Sequence, residues 1–162
     1  MVKLHRMLVA TDFSDSSKEA LDYAVSLAKS LAADIYLLQV FEPPFYAPRG
    51  IPLDAPQEVH QWIRGLQEGE FRKLNELAED VRRHGVRVHP IQAEGAPFEE
   101  ILKAAEGIHS DLIVMGTHGR GGWDRFLMGS VAEKVVRKAS CPVLTVKPKA
   151  LVQTARKEKQ GV

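Results

Sequence analysis

The chain has 162 residues, of which 44% are hydrophobic and 27% are charged. These values are close to the averages of globular domains, so they exclude a disordered chain and a membrane-embedded one. The 22 basic residues nearly balance the 21 acidic residues, which leaves a formal net charge of +1. Without a global positive field, nucleic acid and anionic membranes are not expected as main partners.

The single cysteine and the beginning of the chain bear on the compartment. Cys141 is the only cysteine, which excludes an internal disulfide and a cysteine-rich metal site and is typical of a reducing compartment. We expect Cys141 to be a small buried residue at the start of a strand. The apolar run before Asp12 is too short for a signal peptide or a membrane span. The expected location is the cytoplasm.

The first third of the chain alternates apolar runs with helical patterns. Residues 5–10 form a short apolar run that predicts a buried strand. A capping box of Ser16 and Glu19 predicts the start of the first helix, and residues 35–41 predict a second strand. Prolines crowd the segment 43–56, which predicts a surface loop and a candidate lid.

The middle of the chain continues the alternation. A helical period runs from Val59 to Val81, although glycines weaken its middle, and Gly85 is suited to the left-handed conformation that ends a helix. Residues 86–92 predict a third strand. Pro90 cannot donate to a ladder of hydrogen bonds, so this strand is expected at an edge of the sheet.

The last third supplies two more strands and two more helices. Pro97 is suited to the first turn of a helix, and residues 111–115 predict the most apolar strand. A second capping box, Ser130 with Glu133, predicts the start of the final helix. Residues 142–146 predict the fifth strand.

Strands alternating with helices predict the α/β class, as one doubly wound parallel sheet with helices on both faces. No second domain or internal repeat is visible in the sequence. The prediction is a single domain over residues 1–148, followed by a polar, mobile tail over residues 149–162.

The segment 116–130 carries the functional signal, because it is rich in glycine and joins a buried strand to a capped helix. In open α/β sheets, ligands bind beyond the carboxyl ends of the strands, where a helix N-terminus offers backbone N–H groups to an anion. Gly116, Gly119 and Gly129 would let the backbone approach a phosphate, and the Ser130 hydroxyl would donate a hydrogen bond to it.

The standard phosphate motifs are missing, since no Gly-Lys-Ser/Thr triplet occurs and the first strand leads into Thr-Asp-Phe rather than a Gly-x-Gly-x-x-Gly turn. The segment instead has the spacing Gly-x2-Gly-x9-Gly-Ser. With Val-Ala-Thr-Asp-Phe-Ser (9–14), Asp-Leu-Ile-Val-Met-Gly (111–116) and Cys-Pro-Val-Leu-Thr-Val (141–146), it resembles the ATP-binding branch of the universal stress protein family. The resemblance extends from Lys3 to Pro148.

The resemblance implies an adenine nucleotide alpha hydrolase-like fold with strand order 3-2-1-4-5, and a ligand where strands one and four diverge. The implied ligand is ATP, or ADP or AMP, with Mg²⁺ bridging the phosphates. Asp12 would accept hydrogen bonds from the ribose, and Val40 would lie against the adenine. The implied contact residues are Ala10, Thr11, Asp12, Val40, Met115, Gly116, His118, Gly119, Arg120, Gly129, Ser130 and Val131.

Simpler interpretations of these residues stay open. Ser130 would cap its helix without any ligand, and Asp12 alone is typical of a turn. A loop histidine such as His118 is usually only solvated, whereas the guanidinium of Arg120 suits phosphate oxygens. The histidines show no ligand spacing, so no metal site held by the protein is predicted.

Two functions follow from the resemblance. The first is a nucleotide-dependent regulatory protein in the stress response, and the alternative is slow ATP hydrolysis or phosphoryl transfer, with Asp12 or His118 orienting a nucleophile. The resemblance also implies a homodimer through the fifth strand, which would otherwise expose an apolar edge. The pairing residues would be Val143, Leu144, Thr145 and Val146.

Overall fold

The computed structural model describes residues 3–43, 55–119 and 128–148. Most of the predicted proline-rich lid and all of the predicted tail lie outside these ranges, as does Arg120. The described elements, in chain order, are β1 Arg6–Thr11, α1 Asp15–Leu31, β2 Asp34–Phe41, α2 Gln57–Arg83, β3 Val88–Glu94, α3 Pro97–Gly107, β4 Leu112–Gly116, α4 Ser130–Lys138 and β5 Val143–Val146.

The five strands form one sheet in the order β3-β2-β1-β4-β5, and every neighbouring pair is parallel. The predicted fold and strand order are therefore confirmed. β3 is an edge strand as predicted, with Pro90 opposite Leu37 of β2. β1 and β4 are neighbours at the centre, and the chain leaves them toward α1 on one side and toward α4 on the other.

Alternate residues of the strands pack on two separate cores. Met7 and Val9 face α1 and α2, whose buried residues include Ala24 and Leu74. Leu8 lies in the opposite core, which α3 and α4 cover. Apolar side chains thus cover both faces of the sheet, as in a doubly wound fold. The ends of the strands are the part of the sheet that a ligand can reach.

Both predicted capping boxes are wrong. The N-cap of α1 is Ser14, whose hydroxyl accepts a hydrogen bond from the Ser17 N–H at 3.3 Å, so Ser16 lies inside the helix. The N-cap of α4 is Gly129, which has the extended φ of −60° and ψ of 150°, so Ser130 is the first helical residue and not the cap. The pattern Ser-x-x-Glu occurs in both helices, but the preceding turn decides which residue takes the non-helical conformation.

Other boundaries differ from the prediction by at most two residues. α2 runs unbroken from Gln57 to Arg83 through Gly65 and Gly69, because its buried face holds it against the sheet. Gly85, just beyond it, has the expected left-handed φ of +79°. Cys141 is half-buried beside the α3 and α4 core. Within the described ranges, no helix is long and apolar enough to cross a membrane.

Candidate functional site

A cavity of about 520 Å³ opens at the carboxyl ends of β1, β2 and β4. Its volume is within the range of small-molecule sites. All the contact residues predicted from the sequence line this cavity, Arg120 excepted because it lies outside the described ranges. The lining includes Ala10, Thr11, Asp12, Val40, Met115, Gly116, His118, Gly119, Gly129, Ser130 and Val131. The structure brings them together; their contact with a nucleotide stays a prediction.

The end of β1 is held by a tight polar turn. Oδ1 of Asp12 accepts hydrogen bonds from the N–H of Ser14 at 3.0 Å and from its hydroxyl at 2.5 Å. Phe13 between them has a φ of +64°, a conformation that non-glycine residues seldom adopt. Oδ2 of Asp12 would lie 3.1 Å from a Cβ placed on Gly119. Asp12 is therefore a turn residue and also faces the glycine loop.

The start of α4 forms the opposite wall of the cavity. The N–H of Gly129 donates to the carbonyl of Thr117 at 2.7 Å, which holds the two ends of the glycine loop together. Gly129 has no side chain to accept from the first turn, and no other residue of the described ranges supplies a side-chain cap there. Backbone N–H groups at a helix start carry a partial positive charge and need partners. An anion in the cavity would supply them.

Two of the motif glycines have a packing requirement that the sequence did not reveal. A Cβ on Gly116 would lie 2.3 Å from Oγ and 2.9 Å from the carbonyl carbon of Ser16, so β4 and the first turn of α1 approach too closely for any side chain. A Cβ on Gly129 would lie 3.1 Å from the carbonyl oxygen of Thr117. Gly116 is thus required first by the packing of α1.

The glycine motif, the Asp12 turn and the cavity between them coincide with a family match. The universal stress protein family matches residues 3–147. The chain belongs to this family. Universal stress protein MJ0531 of Methanocaldococcus jannaschii is 38% identical over 88% of this chain and 81% of its own.

Solved structures of the family share the fold. The structure of MJ0577, also from Methanocaldococcus jannaschii, superposes with a TM-score of 0.72 at 31% identity and covers 91% of this chain and 99% of its own. A universal stress protein from Archaeoglobus fulgidus, solved in complex with dAMP, superposes with a TM-score of 0.59 at 22% identity, covering 91% of this chain and 100% of its own.

The cavity is also lined by several residues that were not among the contact residues predicted from the sequence. Leu38 could have been found, because it lies two residues before Val40 in a strand and therefore on the same face. Glu70 could not, because it comes from the middle of α2 and no local pattern connects it to the strand ends. The further lining residues are Ser17, Leu38, Glu42, Glu70, Pro97, Ile101, Thr117 and Ala132.

The charges around the cavity are unevenly placed. In the described part of its wall, the carboxylates of Asp12, Glu42 and Glu70 come from β1, from the residue after β2 and from α2. The helix start of α4 lies across from β2, beyond β1 and β4. His118 lies on that side, with Nδ1 2.8 Å from the hydroxyl of the buried Thr117. Among the described residues, no three acidic, histidine or cysteine side chains form a metal-binding group.

Two groups of the described ranges, the Asp111 carboxyl and the Cys141 thiol, have shifted pKa values for structural reasons, and both lie outside the cavity wall. The backbone N–H groups of His5 and Arg6 donate to Asp111 at 2.9 Å each, and they lower the pKa of its carboxyl. Burial raises the pKa of the Cys141 thiol, so this cysteine is a protonated packing residue at neutral pH and not an activated nucleophile.

Proposed function

We propose that this universal stress protein binds an adenine nucleotide in the cavity and that the bound nucleotide controls its conformation or its choice of partner. The observation that carries the proposal is the start of α4, which lines a cavity of ligand size and has a glycine, with no side chain, at its cap position. A phosphate there would accept hydrogen bonds from the first turn and from the Ser130 hydroxyl.

The rest of the cavity suits a nucleoside. Val40, Met115 and Ile101 belong to the core on the α3 and α4 side and also line the cavity, so they offer an apolar surface to a flat base. Asp12 follows β1, which lies between β2 with Val40 and β4, the strand before α4, so a ribose that joins base to phosphate would pass it. A carboxylate is a good acceptor for ribose hydroxyls.

The identity of the nucleotide, the cellular role and the compartment are also proposals. We take ATP, with Mg²⁺ bridging its phosphates, as the ligand to test first, with ADP and AMP beside it. The dAMP complex of the Archaeoglobus fulgidus protein is a reason to include monophosphates. A role in the stress response within the cytoplasm accords with the family and with the single protonated cysteine.

Calorimetric titration with AMP, ADP and ATP tests the site. We expect Gly129→Val to weaken binding by about a hundredfold, because its side chain would crowd the Thr117 carbonyl and the path of the phosphate. Ser130→Ala removes one donor and should weaken binding by about fivefold. Gly65→Val is the matched control, because no atom lies within 4 Å of its Cβ position. Unchanged affinity in both cavity variants would refute the site.

We also propose that the protein forms a homodimer through β5. β5 is an edge strand, and its residues Val143, Leu144 and Thr145 are only half-buried in the single chain. An apolar edge of this kind invites pairing with a second copy. Val143→Lys should shift the sedimentation coefficient from dimer to monomer, with Lys103→Ala on α3 as the control. A dimer that persists in Val143→Lys would exclude pairing through this strand.

A further inference from the structure

A chain of amide side chains lies inside the sheet on the α2 side. Gln39 of β2 is only 1% exposed, although a buried amide is costly unless both its polar atoms are hydrogen-bonded. Its Oε1 accepts from Nε2 of Gln92 on β3 at 2.9 Å. Its Nε2 donates to Oε2 of Glu70 on α2 at 2.5 Å. Gln92 also donates to the carbonyl of Gln67, so the chain is anchored at both ends.

This arrangement fixes the carboxylate of Glu70 at the wall of the cavity. With its oxygen engaged by Gln92, the amide of Gln39 has one orientation, in which it donates toward Glu70. Gln39 lies opposite Thr11 in the register of β1 and β2. Glu70 therefore lines the cavity near the end of β1, on the same side of the strand ends as Thr11 and Ser17 and across from the apolar surface of Val40.

The chemistry of that position limits what part of a ligand it can meet. An ionised carboxylate only accepts hydrogen bonds and repels phosphate oxygens. The phosphates are assigned to the start of α4, two strands away from β2, and neighbouring strands are about 4.8 Å apart. The base is assigned to the apolar surface of Val40 and Met115. The remaining group of a nucleotide, which offers neutral O–H donors, is the ribose.

We propose that Glu70 is a specificity-determining residue that accepts a hydrogen bond from a ribose hydroxyl, and that the buried Gln39 amide positions it. The site then selects adenine nucleotides with unmodified ribose hydroxyls and rejects those that carry a phosphate on the ribose ring. This inference rests on the proposed nucleotide site. It adds to that site a residue from α2, far in sequence from the glycine motif.

Titrations with AMP, its 2′-deoxy and 3′-deoxy analogues and adenosine 3′,5′-bisphosphate test the role of Glu70. Wild-type protein should bind AMP about tenfold or more tightly than one of the deoxy analogues, and also than the bisphosphate. A hydrogen bond to a charged group contributes about this factor to affinity. Glu70→Gln should narrow both preferences to about threefold or less. Glu76→Gln, an exposed carboxylate of the same helix outside the cavity wall, should keep them.

Gln39→Leu tests the positioning role, because it removes the amide and keeps the fold's apolar packing. Gln39→Leu should reduce the preference for AMP over the deoxy analogue and over the bisphosphate. In a protein that already carries Glu70→Gln, it should not reduce these preferences further. If Gln39→Leu acted only on the structure, it would lower the affinity for all four ligands equally. Its effect on affinity would then add to the effect of Glu70→Gln. If wild-type protein binds none of the ligands, the proposed function fails. If it binds AMP but Glu70→Gln keeps the wild-type preferences, this inference alone fails.

Discussion

Three helices of this protein begin beside the same cavity, and the first turns of two of them, α1 and α4, are satisfied in different ways. At the start of α1, the Ser14 hydroxyl accepts from the N–H of Ser17 and donates to Asp12. The Ser17 hydroxyl donates to the carbonyl of Ser14 and lies 3.2 Å from the hydroxyl of Thr11. At the start of α4, the cap position is occupied by Gly129, which has no side chain to accept a hydrogen bond.

This difference distinguishes the start of α1, which is closed by its own side chains, from the start of α4, which we propose to bind a phosphate. At α1, the hydroxyls of Ser14 and Ser17 are hydrogen-bonded within the first turn, and Ser16 packs against Gly116. α4 presents its first turn to the cavity with a residue that has no side chain. Both starts carry the same partial positive charge. The local side chains, and not the helix dipole, decide which of the two can take a phosphate.

The largest expected effect on stability comes from crowding the first turn of α1. Gly116→Ala places a Cβ against the backbone and hydroxyl of Ser16, and we expect it to lower the free energy of unfolding by about 2 kcal/mol. Urea denaturation measures this value. Gly107→Ala, whose Cβ would meet no atom within 4 Å, should cost nothing. A stable Gly116→Ala protein would show that α1 is not tightly seated on β4.

A smaller effect on stability is expected from removing the serine side chain at each of the two helix starts. Ser14→Ala removes the cap of α1 and should lower the free energy of unfolding by about 1 kcal/mol. Ser130→Ala should leave the free energy of unfolding unchanged, because Ser130 does not cap α4. The same denaturation experiment on the two variants measures both values. Equal losses of stability would contradict the distinction between the two starts.

The sequence predicted the sheet well, because the strands are short apolar runs separated by helices of clear period. The alternation indicated a parallel sheet, Pro90 indicated the edge position of β3, and the family resemblance implied the strand order. All three are confirmed. The first two features depend on patterns within one element or on residues adjacent in sequence, whereas the strand order came from the resemblance alone.

What the sequence could not predict depends on contacts between distant segments. Ser16 and Ser130 both appeared to cap helices, but the turns before them place the caps at Ser14 and Gly129. Gly116 appeared to serve only a ligand, but it is needed by α1. Glu70 reaches the cavity through the packing of α2 on β2 and β3. No local motif specifies that placement.

The most direct test of the central claim is a crystal structure of the protein grown with AMP. We expect phosphate oxygens within about 3.2 Å of backbone N–H groups in the first turn of α4, with the base against Val40. Density for AMP outside this cavity, or a phosphate held at the start of α1, would contradict it.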